Sequence, residues 1–158
     1  MRNRTWIQRS SGTWQNSWQN TKVDGEVLRL ELRAVHERCS GCRACELACA
    51  LANFREMNPA KSALGIEGRF PAPGDYRVHL CDQCGACAEA CPEDAIALQN
   101  EAYLIDPDLC TGCLTCVDAC PHGVMYVHAS TETPIKCTLC GACAEICPRG
   151  AIVMEGGA

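Results

Sequence analysis

The chain has 158 residues, 16 cysteines and a formal net charge of −5, but only 5% aromatic residues, with Phe present twice. So few large side chains cannot build a deep core unaided at this length, so a group bound to the cysteines must supply much of the stability. The acidic balance argues against nucleic acid as a partner, and no run is long and apolar enough to predict a membrane span.

Residues 1–24 stand apart from the rest. Trp6, Trp14 and Trp18 all lie there, with Arg2, Arg4 and Arg9 among Ser, Gln and Asn. A solvated tail is one reading. Three tryptophans favour burial against something, so residues 1–24 are also read as an N-terminal interaction arm that docks on a partner or, by self-association, on a second copy. The first 20 residues hold no apolar signal region and no adjacent arginine pair. A cytoplasmic location is expected, where thiols serve metals or catalysis more often than disulfides.

Residues 27–32 alternate apolar and polar and predict a strand. The first of four cysteine motifs follows at Cys39, Cys42, Cys45 and Cys49. The second is Cys81, Cys84, Cys87 and Cys91, the third Cys110, Cys113, Cys116 and Cys120, the fourth Cys137, Cys140, Cys143 and Cys147. Each reads C-x2-C-x2-C-x3-C. Three thiolates two residues apart let a tight loop wrap three corners of one cube. The next residues start a helix, which aims the fourth Cys at the other cluster of a pair. Pro92, Pro121 and Pro148 follow the closing cysteine and redirect the chain, whereas the first motif continues with Ala50. A glycine in each loop (Gly41, Gly85, Gly112, Gly141) permits close backbone approach. Zinc ribbons lack the third cysteine at this spacing, and disulfides do not require the repeat. Four 4Fe–4S clusters are therefore expected.

Between the first two motifs, residues 50–76 hold Pro59, Pro71, Pro73, Gly65, Gly68 and Gly74. They predict an irregular loop with one short helix near its start, covering a cluster or forming part of a partner contact. Short strands are expected at 76–80 before the second motif and at 124–127 after the third. Residues 95–98 and 103–106, joined by a turn at 99–102, read as a hairpin. That is the layout of a small bacterial two-cluster ferredoxin, so motifs two and three should form one unit. A last strand is expected at 151–154.

The fold class expected is α+β, with two bacterial-ferredoxin-like units. An inner unit, residues 76–129 with motifs two and three, is nested within an outer unit of residues 25–75 and 130–158 with motifs one and four. Two tandem units are the alternative. Nesting gives four ligand sets: Cys39, Cys42, Cys45 and Cys147 (site one); Cys81, Cys84, Cys87 and Cys120 (site two); Cys110, Cys113, Cys116 and Cys91 (site three); Cys137, Cys140, Cys143 and Cys49 (site four).

The stretch Cys42-Arg43-Ala44-Cys45-Glu46-Leu47-Ala48-Cys49, then Phe54, Asn58-Pro59 and Ser62, together with Lys136-Cys137-Thr138-Leu139-Cys140, resembles the four-cluster ferredoxin subunits of molybdenum- and tungsten-dependent oxidoreductases. The likeness is greatest to the electron-transfer subunit of a tungsten aldehyde oxidoreductase complex, and runs over residues 27–155. Where that family has Ser-Arg-Ile, this chain reads Ser62-Ala63-Leu64-Gly65-Ile66. The resemblance implies a catalytic partner with a tungsten or molybdenum pterin, and a flavin subunit that reduces NAD.

No nucleophile–base pair or phosphate-cradling loop is legible, so a non-catalytic electron-transfer role is expected. A free polyferredoxin serving several oxidoreductases is the alternative, and a scaffold with structural clusters a third reading. Arg38, Arg43, Lys136 and Arg149 lie near the outer motifs; Asp82, Glu89, Glu93, Asp94, Asp108 and Asp118 lie near the inner ones. Positive charge favours the more negative, reduced cluster, so higher potentials are expected in the outer unit. His36, His79, His122 and His128 are read as structural or surface residues, and Met57, Met125 and Met154 as packing around the clusters.

Overall fold

The computed structural model describes residues 30–156. The arm at 1–24 and the start of the strand expected at 27–32 lie outside them.

Secondary structure among the described residues is short and serves the cysteine loops. Strand β1 (Glu31–Ala34) leads through a 3-10 turn (His36–Arg38) to helix α1 (Ala44–Phe54), the longest at 11 residues. A second 3-10 turn (Pro59–Lys61) precedes β2 (Gly65–Gly68) and β3 (Tyr76–His79). Helix α2 (Ala86–Glu89), hairpin strands β4 (Ile96–Gln99) and β5 (Ala102–Ile105), α3 (Thr115–Asp118), α4 (Ala142–Glu145) and β6 (Ile152–Glu155) follow.

The strands pair antiparallel in three two-stranded sheets, β1 with β6, β2 with β3, and β4 with β5. The first and last described strands are therefore neighbours, with Leu32 opposite Met154 and Ala34 opposite Ile152. The β4–β5 hairpin turns through Asn100 and Glu101, both at positive φ (47° and 68°). Two such residues in a two-residue loop match the twist of the strands they join.

The strand before the second motif does not pair with the segment after the third. Residues of β3 lie instead against β2, while Tyr126 forms an isolated bridge with Ile135. The segment read as an irregular loop thus contains a strand. Gly65 lets it form beside Tyr126: a side chain there would meet the tyrosine hydroxyl at 2.7 Å.

Apolar burial divides into two clusters. One gathers Leu32, Leu64, Ile66, Val78, Ile135 and Ile152 around Cys45, Cys49 and Cys143. The other gathers Ile96 and Met125 around Cys87 and Cys116. Helix α1 packs on α4, and α2 on α3. Met125 is buried and Met154 packs on the larger cluster, as expected of packing residues, but Met57 is 74% exposed. It follows the end of α1, where Arg55 is left-handed and turns the chain outward.

Candidate metal centres

The four loops share one backbone shape. The residues just before and just after the second cysteine are both left-handed in every loop: Gly41 and Arg43, Gln83 and Gly85, Gly112 and Leu114, Leu139 and Gly141. Glycine relieves one of the two in each case, before the second cysteine in loops one and three and after it in loops two and four. The other position holds an ordinary residue at a cost of order 1 kcal/mol. Such a double left-handed kink curls the chain around a centre and points successive N–H groups inward. The glycines also admit packing. A Cβ on Gly85 would meet the Tyr103 hydroxyl at 2.7 Å, and one on Gly141 the Met154 methyl at 3.0 Å.

This geometry leaves four small cavities, each lined by four cysteines. Cys39, Cys42, Cys45 and Cys147 surround one. Cys81, Cys84, Cys87 and Cys120 surround another. Cys110, Cys113 and Cys116 line a third with Cys91. Cys137, Cys140 and Cys143 line the fourth with Cys49. All 16 thiols are free; the second of each motif is exposed and the third buried.

Sulfur atoms receive hydrogen bonds at the loop edges. Cys49 Sγ accepts from the Ala63 N–H at 3.3 Å and from Asn53 Nδ2 at 3.6 Å. Cys147 Sγ accepts from the Ala151 N–H at 3.2 Å, and Cys137 Sγ from the Leu139 N–H at 3.4 Å. Donors aimed at sulfur favour thiolate over thiol. The residues that carry the family resemblance build the cover over Cys49. Asn58 caps the Pro59–Lys61 turn by accepting from the Ala60 N–H at 3.1 Å, and Ser62 donates to the Leu64 carbonyl at 2.6 Å. Glu46, buried in α1, accepts from the Ile66 N–H at 2.9 Å and holds β2 against the helix.

Burial raises several of the thiols. It pushes Cys45 up to about 11, and Cys137 and Cys143 up to about 12. At Cys147 burial works upward but is outweighed by the N–H groups of Ala151, Arg149, Ile152 and Gly150, which hold the thiol below its ordinary value. At Cys113 the Thr115 hydroxyl and N–H do the same. Four convergent thiols per cavity, no disulfide and N–H donors on sulfur form a donor set that fits a 4Fe–4S cubane.

Charge is distributed differently from the outer-versus-inner division read from sequence. Arg38, Arg43 and Arg149 all line the cavity of Cys39, Cys42 and Cys45. Among the described residues, no charged side chain lines the cavity of Cys137, Cys140 and Cys143. Lys136 precedes Cys137 in the chain, yet it lines the Cys81 cavity, because its four-carbon stem carries the ammonium across to the other loop. Sequence proximity could not show that reach. Of the histidines, His122 lines the same cavity, paired with Asp82 at 2.8 Å. His36 accepts the Val78 N–H at 3.2 Å, His79 meets Glu67 at 3.0 Å and His128 meets Ser130 at 3.0 Å.

Residues 80–124 and 109–152 each match a 4Fe-4S dicluster domain family, and residues 36–52 a 4Fe-4S binding domain family. The chain is 33% identical over 75 residues to the polyferredoxin-like subunit of an aliphatic sulfonate oxidoreductase from Pyrococcus furiosus, a match covering 46% of this chain and 42% of that one. It is 59% identical over 27 residues to a ferredoxin-like protein in the nif region of Sinorhizobium fredii, covering 17% and 42%. The chain thus spans less than half the length of these curated relatives. Among solved structures, the active site complex BamBC of benzoyl coenzyme A reductase bound to benzoyl-CoA aligns over 80% of this chain and 78% of its own, at 19% identity and a TM-score of 0.45. The chain carries ferredoxin-like 4Fe–4S segments, and no helix among the described residues is long and apolar enough to cross a membrane.

Proposed function

We propose that this chain is the electron-transfer subunit of an oxidoreductase complex, relaying single electrons through four 4Fe–4S clusters. The observation that carries the reading is the composition of the four cavities, three cysteines from one motif and one from another. On this reading Cys39, Cys42, Cys45 and Cys147 hold one cluster, and Cys137, Cys140, Cys143 and Cys49 its outer companion. Cys81, Cys84, Cys87 and Cys120 hold one inner cluster, and Cys110, Cys113, Cys116 and Cys91 the other. The β1–β6 pairing supports an inner unit of residues 76–129 nested within an outer unit of 25–75 and 130–158.

Bound clusters would supply reversible one-electron chemistry. The chain's own part is to bind and tune. Thiolates fix each position, N–H donors on Cys49, Cys137 and Cys147 stabilise negative charge, and buried walls limit water. The exposed residues Cys42, Cys84, Cys113 and Cys140 give each site an edge at the surface where a partner's redox centre can approach.

The similarity to a polyferredoxin-like oxidoreductase subunit supports a role within a complex. Its partner on this reading is a large catalytic subunit of the tungsten or molybdenum pterin type, with a flavin subunit as the second redox partner. Residues 1–24 serve as the docking arm, on a partner or on a second copy, and the setting is cytoplasmic. A tagged chain purified anaerobically from its native host should retain a pterin-containing large subunit through a high-salt wash. Recovery of the holoprotein alone would favour a freely diffusing polyferredoxin.

A further inference from the structure

Between the second and fourth loops lies a buried polar junction built on Lys136 and Gln83, which are 8% and 3% exposed. The Lys136 ammonium donates to Gln83 Oε1 at 2.7 Å and to Cys81 Sγ at 3.7 Å. It also stands 5.9 Å from the centre of the Tyr103 ring. Gln83 is held on both sides: its Oε1 also accepts from the Tyr103 N–H at 3.1 Å, and its Nε2 donates to the Cys137 carbonyl at 3.0 Å.

Among the described residues no carboxylate forms an ion pair with Lys136. A buried ammonium without a counter-charge is costly, whereas the buried Lys61 has Glu56 at 2.7 Å. On the cluster reading, the group within reach of Lys136 that would carry negative charge is the ligand sulfur of Cys81. Asp82 lines the same cavity but is turned to His122 and to the Cys84 N–H.

We infer that Lys136 is the potential-setting residue of the site formed by Cys81, Cys84, Cys87 and Cys120, raising its reduction potential and making it the preferred resting place for an electron at the junction of the two units. The inference rests on the cluster reading above. Each one-electron reduction adds one negative charge to the site, without bond formation or proton transfer. A fixed cation at a ligand sulfur is stabilised by that added charge more than by the oxidised state, and charge and hydrogen bonds at sulfur are among the factors that set such potentials.

The test is an anaerobic redox titration of the full holoprotein, followed by electron paramagnetic resonance, with iron and sulfide measured on every sample. Wild-type protein lacking both sinks the cluster reading itself, before any variant is compared. With clusters present, Lys136→Gln and Lys136→Met should each lower the reduced-to-oxidised ratio of one signal about tenfold at fixed potential, equivalent to about 59 mV for a one-electron couple. Lys136→Arg should leave it near wild type. The shifted signal should be the one altered by Cys84→Ser. Unmoved potentials at full iron content overturn the inference, as does a shift in a signal that Cys84→Ser leaves intact. Loss of one site's iron from both neutral variants makes Lys136 a structural counter-charge and also overturns it.

Discussion

Single residues decide how firmly several of the thiols hold their protons, and therefore how their sites respond to acid. An acid whose value is raised by folding keeps its proton more tightly in the folded chain. In the metal-free protein the buried thiols of Cys45, Cys137 and Cys143 thus stabilise the fold below their ordinary value of 9.0, and that contribution is lost as pH rises towards about 11 to 12. In the loaded protein the sign reverses, because a metal needs thiolates and acid competes for them. Competition is strongest at the fourth loop, with two thiols near 12, and weaker at Cys113, where Thr115 holds the thiol low. Stepwise acidification with maleimide labelling, mapped by peptide mass spectrometry, should expose Cys137 and Cys143 before Cys113. The reverse order would show that thiol burial does not govern release. At this scale the sequence was only partly legible. Cysteine spacing follows from the size of a cube and can be read directly. The reach of Lys136 and the left-handed backbone at Arg43, Gln83, Leu114 and Leu139 depend on packing that no local pattern announces.

Individual elements among the described residues are too short to be stable alone: three helices have four residues each, and every sheet described has two strands. Isolated two-stranded pieces are marginal in water, so each element depends on the loop it flanks. The β4–β5 hairpin was legible because apolar runs flank a turn that Asn100 can enter at positive φ. The β2–β3 pair was not, because Gly65–Gly68 has poor strand propensity and is ordered by Tyr126, Glu46 and its partner strand. Strand β6 joins β1 across almost the whole described chain, and Ala151 beside it donates to Cys147. Truncation after Gly150 removes that strand and the donor. Iron should then be lost from the sites of the first and fourth motifs, with those of the second and third retained, as seen by thiol accessibility. Loss confined to the third and fourth motifs would support a tandem arrangement instead.

For the molecule as a whole, the apolar core is sparse and divided, with Cys45, Cys49, Cys87, Cys116 and Cys143 among its central members. Residues that line a core in an ordinary domain here line the four cysteine cavities, so on the cluster reading folding and metal binding become one equilibrium. Three arginines line the first cavity, one buried lysine lines the second, and among the described residues no charged side chain lines the fourth. The potentials are therefore expected to differ site by site rather than between outer and inner pairs. The most direct test of four clusters per chain is native mass spectrometry of anaerobically purified protein, with parallel iron and sulfide analysis. The expected result is a mass excess of four 4Fe–4S units, with one iron and one sulfide for each of the 16 cysteines. A chain carrying zinc, disulfides or only two clusters at full thiol occupancy would contradict it.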